Sequence, residues 1–288
     1  MQKQLTIEHT TREMQIRNFA QATITSYLFH IDSFLDFVRY PIEELTELDV
    51  KNYLSYLYKK DKSSFYLNSA LSACKFLFLA FGKPITNIKS PKKQKKIPTV
   101  LTKQEIELLI NSTNNIKHRL IIEFIYSSGL RLSEVINLKI KDIDFNQSIG
   151  IVKQGKGRKD RYFIISNQLT AKIHYYLLLR ETPSEYVFEG RKNKINKHTV
   201  QKIISNATKK ANLNKRVHPH TLRHSFATHL LEQGTDICII QRLLGHNKIQ
   251  TTELYTHISN KLIKDIPNPL DSLNLTNKDA ELLDNKIK

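Results

Sequence analysis

The chain has 288 residues, a formal net charge of +18 and an isoelectric point near 9.7. That length allows a sizeable core in one large domain or two, and so large a cationic excess points to a polyanionic partner. A disulfide framework, a membrane span, a signal peptide and a nucleotide-binding glycine loop are all excluded. The two cysteines are too few, no apolar run is long enough, the first residues are charged, and neither the Walker nor the Rossmann pattern occurs.

The charge is uneven. Residues 1–89 carry a net +2, residues 90–100 add four lysines and no acid, residues 101–270 carry +13, and residues 271–288 carry −1. Concentration in one part favours a nucleic-acid surface over general solubility. Cys74 and Cys238 lie in apolar surroundings, so reduced, buried thiols in a cytoplasmic protein are expected.

Residues 1–89 predict a helical bundle of about four helices. From Thr23 to Val38, apolar residues such as Ile24, Leu28, Ile31, Leu35 and Val38 recur at helical spacing, and Pro41 stops the run. Leu48 to Tyr58 places Val50, Tyr53, Leu54 and Leu57 on one face. Phe65 to Phe81 is more apolar and is expected at the centre, ended by Gly82 and Pro84. Residues 90–100 predict a linker. Lys92, Lys93, Lys95 and Lys96 match a nuclear-localisation run only weakly, and a basic strap on a DNA backbone also explains their place between two domains.

The second domain, 101–270, opens with the capping box Thr102-Lys-Gln-Glu105. Helices are predicted at Lys117–Ser127, from Arg131 to Leu138, at Thr170–Leu179 and at Lys197–Ala211. Ile149–Val152 and Arg161–Ile165 predict a hairpin. Its turn, Lys153-Gln-Gly-Lys156-Gly-Arg158-Lys159-Asp160, is basic. The glycines flanking Lys156 let it bend tightly, so Lys156 is a candidate general acid, with Lys153 as its rival. Lys153, Arg158, Lys159 and Arg161 are expected to touch only DNA backbone. A tail, 271–288, is expected to fray.

The densest run of chemistry is His218 to His257. His220 and Arg223 are three apart, so a helix points them the same way. His246 follows Gly245, a natural helix end. Tyr255 sits on an expected short helix that Thr251 or Thr252 would cap. Arg131, at a helix start, and Arg223 suggest a pair clamping one phosphate. Each alone also fits a plain ion pair, Arg131 with Glu134. His218, His220 and His224 invite a zinc site, but no further ligands follow at a recognisable spacing and no metal is expected. His30, His174, His198 and His229 are expected to be satisfied polar groups. Composition alone does not choose among 12 tyrosines.

Arg131, Lys156, His220-x-x-Arg223, Leu-Gly-His246 and Tyr255-Thr-His257, in this order, resemble the tyrosine recombinases, or phage integrase family, and most nearly the Xer branch. The resemblance covers the whole chain. It implies a mainly α, two-domain DNA clamp, with a SAM-like core-binding bundle and a helical catalytic domain holding a small antiparallel sheet. It implies Tyr255 as nucleophile forming a 3′-phosphotyrosine, and Arg131 and Arg223 as stabilisers of the transition state. It also implies Lys156 as acid, His220 as base, His246 as a hydrogen bond to phosphate, and Glu134 orienting this set. No cofactor is implied. The implied partners are double-stranded DNA with a specific site, a tetramer on two duplexes and an accessory regulator.

Dimer resolution of the Xer type competes with integration of a mobile element. The short chain favours the former, because residues 1–20 leave little room for an arm-binding domain. A type IB-like topoisomerase and a DNA-binding protein that has lost catalysis are further alternatives, and the second would show erosion of a catalytic position. Ile258, Leu262, Ile263 and Ile266 predict one apolar helix face that docks on a neighbouring protomer. On that reading, a chain ended after Thr256 would still fold.

Overall fold

The computed structural model describes residues 2–91, 98–153, 160–191, 193–245 and 267–273. Lys92, Lys93, Lys95 and Lys96 of the strap, Lys156, Arg158 and Lys159 of the turn, His246, Tyr255 and the apolar face 258–266 lie outside the described residues. The chain divides into two compact units, 1–96 and 97–288. The architecture is mainly helical with small antiparallel sheets.

The first unit contains α1 (Gln2–Ile16), α2 (Gln21–Val38), α3 (Glu47–Lys59) and α4 (Ser64–Ala80). α4 packs on the other three, as its apolar sequence requires. It buries Leu67, Ala70, Leu71, Cys74, Leu77 and Phe78. Ser63 caps it by accepting from the Tyr66 N–H. α1 buries Thr6, Thr10 and Met14 instead of an aliphatic stripe. Its threonines solve the polar problem by donating one turn back, Thr6 to Gln2 O at 3.1 Å and Thr10 to Thr6 O at 2.7 Å. His30 differs from its expectation, since its buried Nδ1 has no hydrogen-bond partner and burial holds the ring below the ordinary imidazole pKa.

The second unit is built on α6 (Ile116–Ser128), which is buried from Arg119 to Ser128. Around it lie α5 (Lys103–Asn111), α8 (Asn167–Leu179), α9 (Lys197–Lys210) and α10 (Pro219–Glu232). α7 (Leu132–Asn137) follows α6 directly, and α11 (Ile237–Leu244) packs on α10. The Thr102–Glu105 capping box forms in both directions. Strands β1 (Ile143–Asp144), β2 (Ile149–Val152) and β3 (Arg161–Ile164) form an antiparallel sheet in that order. The register sets Gly150 opposite Phe163 and Val152 opposite Arg161. β4 (Glu189–Gly190) and β5 (Asn193–Lys194) make a second, two-stranded sheet.

Two expectations change. Cys238 is exposed, whereas Cys74 is buried as expected. The packed part of the second unit runs past residue 270. Leu270 and Leu273 are buried in its core, Asn268 Nδ2 donates to Ser127 O at 2.9 Å, and the Ser166 hydroxyl donates to Asp271. Among the described residues no helix is long and apolar enough to cross a membrane.

Candidate active site

α6 ends at Gly129, whose φ of +60° closes the last turn in the left-handed region. A Cβ there would also collide with the Phe226 ring of α10. Two residues on, Arg131 takes the N-cap position of α7. Glu134, in the first turn, accepts from the Arg131 N–H at 2.7 Å and from Arg131 Nη1 at 3.0 Å. The ion pair expected as the bland reading therefore exists, and a second arginine joins it. Arg161 forks onto the same carboxylate, Nη1 to Oε1 at 2.9 Å and Nη2 to Oε2 at 2.6 Å.

Helix α10 starts with an unusual cap. His218 Nδ1 accepts from the Thr221 N–H at 3.1 Å, which assigns the ring proton of the neutral form to Nε2. Pro219 follows at the first helical position, where its missing N–H costs nothing. His220 and Arg223 then lie one turn apart. They separate in depth: His220 opens to solvent, and Arg223 is 4 % exposed.

Arg223 Nη1 donates to Gly129 O at 2.6 Å and its Nη2 to Leu244 O at 2.5 Å. Arg131 Nη2 donates to Gly245 O at 2.9 Å. Arg161 Nε donates to Leu243 O at 3.0 Å. Three consecutive carbonyls at the end of α11 thus accept from three different arginines. A helix leaves its last carbonyls without intrahelical partners, and its dipole favours cations there. Gly245, with φ +63°, turns the chain out of the helix immediately before His246.

The electrostatics favour an anion. Two guanidiniums, Arg131 and Arg161, hydrogen-bond the Glu134 carboxylate, and a third, Arg223, feels its charge. Burial pushes the Glu134 carboxyl up, but hydrogen bonds from Arg161 and the Arg131 backbone outweigh it and hold it below the usual range. Burial, then the Arg131 cation, pushes Arg223 down to about 10, with Glu134 opposing. An arriving phosphate would relieve that repulsion. Partial desolvation, then His218, Arg223, His224 and Arg131, holds His220 below the ordinary histidine pKa. A groove of about 720 Å³ beside Arg131 is lined by Ser133, Lys139, Lys141, Asp142 and Lys153. Among the described residues no cluster of three or more metal-ligating side chains occurs.

Residues 99–261 match the phage integrase family, and residues 7–83 match the N-terminal SAM-like domain of phage integrases. The chain belongs to the phage integrase family. Its members are tyrosine recombinases, enzymes that cleave and rejoin DNA. The chain is 37 % identical to tyrosine recombinase XerA of Pyrococcus horikoshii over 265 residues, covering 90 % of this chain and 91 % of that one. It is 31 % identical to tyrosine recombinase XerC of Staphylococcus aureus, covering 87 % of this chain and 90 % of that one. The fold is similar to that of lambda integrase, solved as a dimer bound to a core site, with a TM-score of 0.69 at 20 % identity over 85 % of this chain and 94 % of that one.

One site residue stands differently from its sequence expectation. Arg161 was expected to touch only DNA backbone, yet its side chain is 10 % exposed and each of its three nitrogens is engaged inside the protein. Lys153 is 57 % exposed and pairs with Asp142 at 2.7 Å, an exposed bond of little strength. The α11 carbonyls escaped the sequence reading because backbone acceptors carry no residue signature. Gly245 was the only signal of where they would lie.

Proposed function

We propose that the recombinase acts through Tyr255 as nucleophile. The phenol oxygen attacks a backbone phosphorus, the phenol proton passes to His220, and the P–O5′ bond breaks as Lys156 gives a proton to the leaving oxygen. The products are a 3′-phosphotyrosine and a 5′-hydroxyl. The reverse reaction with another 5′-hydroxyl rejoins the strand, and the retained ester makes ATP unnecessary. Arg131 and Arg223 stabilise charge on the non-bridging oxygens, and His246 adds a hydrogen bond. The observation that carries this reading is the convergence of Arg131 and Arg223 on the end of α11, one residue before His246.

The proposed role is resolution of dimeric chromosomes or plasmids at a specific site, in the cytoplasm. Relatives named XerA and XerC support it. Integration of a mobile element is the alternative, and a putative integrase/recombinase of Sinorhizobium fredii at 33 % identity supports that. Lambda integrase forms a tetramer on a Holliday junction, and four protomers on two duplexes are proposed here, with an accessory regulator. Lys92, Lys93, Lys95, Lys96, Lys153, Arg158 and Lys159 are the proposed DNA-backbone contacts.

Trapping covalent complexes on genomic DNA and sequencing the attached ends tests the role. A single chromosomal site supports dimer resolution, and ends of a mobile element support integration. Tyr255→Phe is expected to abolish the denaturation-resistant adduct and leave DNA binding intact. An adduct surviving in that variant would assign the nucleophile elsewhere.

A further inference from the structure

Arg161 opens β3, the return strand of the basic hairpin, where an arginine would ordinarily reach for solvent. Instead its guanidinium forks onto Glu134 of α7 and its Nε holds Leu243 O of α11. Its stem lies against Gly245: a Cβ there would sit 2.9 Å from Cδ and 3.0 Å from Nε. The pair Val152–Arg161 ends the β2–β3 ladder at the base of the turn. One side chain of β3 therefore touches α7, which Arg131 caps, and the end of α11, whose carbonyls hold Arg223 and Arg131.

We infer that Arg161 is a positioning residue for strand cleavage. The fork fixes both oxygens of Glu134, and Glu134 in turn fixes the Arg131 backbone and Nη1. The Nε bond fixes the end of α11, whose next two carbonyls hold Arg223 and Arg131. Arg161 thus sets both guanidiniums without touching DNA, and it ties them to the hairpin base. A lysine cannot replace it, because a single ammonium cannot present a planar fork and a third donor at once. The inference rests on the proposed phosphate-binding role of Arg131 and Arg223.

The test uses the full chain, wild type against Arg161→Lys, with Arg161→Ala as a second variant. Nicked duplexes carrying the captured site are made with either an ordinary phosphodiester or a methylphosphonate at the scissile position. Binding is read by anisotropy and adduct formation in single turnover. Misplacement of the clamp by about 1 Å predicts a cleavage loss of about 100-fold on the phosphodiester, with binding unchanged. The loss should shrink on the methylphosphonate, which carries one negative charge fewer for the clamp to hold. Equal losses on both substrates would overturn the inference. So would weaker binding with a normal cleavage rate, which is the signature of a DNA contact, or a lower melting temperature with normal cleavage.

Hydrogen exchange on the DNA-free protein separates this inference from the recombinase reading. Arg161→Lys should speed exchange both at residues 131–135 and at 243–245. No change in either segment would remove the strut, whatever the wild-type chain does to DNA. A wild-type chain that makes no adduct would instead remove the assigned chemistry.

Discussion

At the scale of single residues, the site places more cation than anion in little space. Glu134 is shared by Arg131 and Arg161, and Arg223 donates to the carbonyls of Gly129 and Leu244. The general acid is tested by chemistry at the leaving oxygen. Lys156→Ala should slow cleavage of an ordinary phosphate and recover on a substrate with a 5′-bridging sulfur, which departs without a proton. Lys153, held by Asp142, should show no such recovery when replaced by alanine. Recovery in the Lys153 variant alone would transfer the acid role to it. Sequence spacing made the arginines, His220 and the capping Glu134 legible, because each sits beside a helix-start or helix-end signal. Arg161 was misjudged because a lysine and arginine run looks alike whether its last member faces solvent or a carboxylate. Fractional burial decides that, and only the packed chain supplies it.

At the scale of elements, strongly periodic helices were legible to within a few residues. α2, α3 and α4 carry uninterrupted apolar stripes. α1 was not singled out because threonines serve on its buried face, and β1, β4 and β5 are two-residue strands without room for a pattern. The segment 267–273 changes a consequence of the sequence reading. A chain ended after Thr256 would lose Leu270 and Leu273 from the core, and the Asn268 bond to Ser127 with them. It should therefore be destabilised, beyond any loss of contact between protomers. Replacing a buried leucine by alanine typically costs about 2–5 kcal/mol, so Leu270→Ala alone should show that scale in urea unfolding. Equal stability of the Leu270→Ala and parent proteins would show that this segment does not support the fold.

At the scale of the whole molecule, charge and pH act together. His30 and His229 are buried in different units, and burial holds both below the ordinary histidine value, against a smaller upward pull of Glu232 on His229. A depressed folded pKa means that the unfolded chain takes protons first as pH falls. Their contribution to stability is complete above the unfolded value of about 6.5 and declines below it, until the folded rings titrate. Protonation also adds to a net charge already at +18, which works in the same direction. The thermal midpoint should accordingly fall as the pH drops from about 7 to about 5, in a window where ordinary carboxylates are still mostly ionised. A midpoint flat across that range would show that neither ring matters to the fold. The two-part plan and the basic bias were legible because they depend on composition averaged over many residues.

The bonds that gather three arginines at the end of α11 use main-chain oxygens. Residues 243 and 244 can therefore change identity without removing an acceptor, and a scan of side chains there would register packing alone. The position of these acceptors is set by the path of the backbone. Chemical synthesis could edit it where a codon cannot, because an ester in place of an amide weakens one carbonyl while every side chain stays in place.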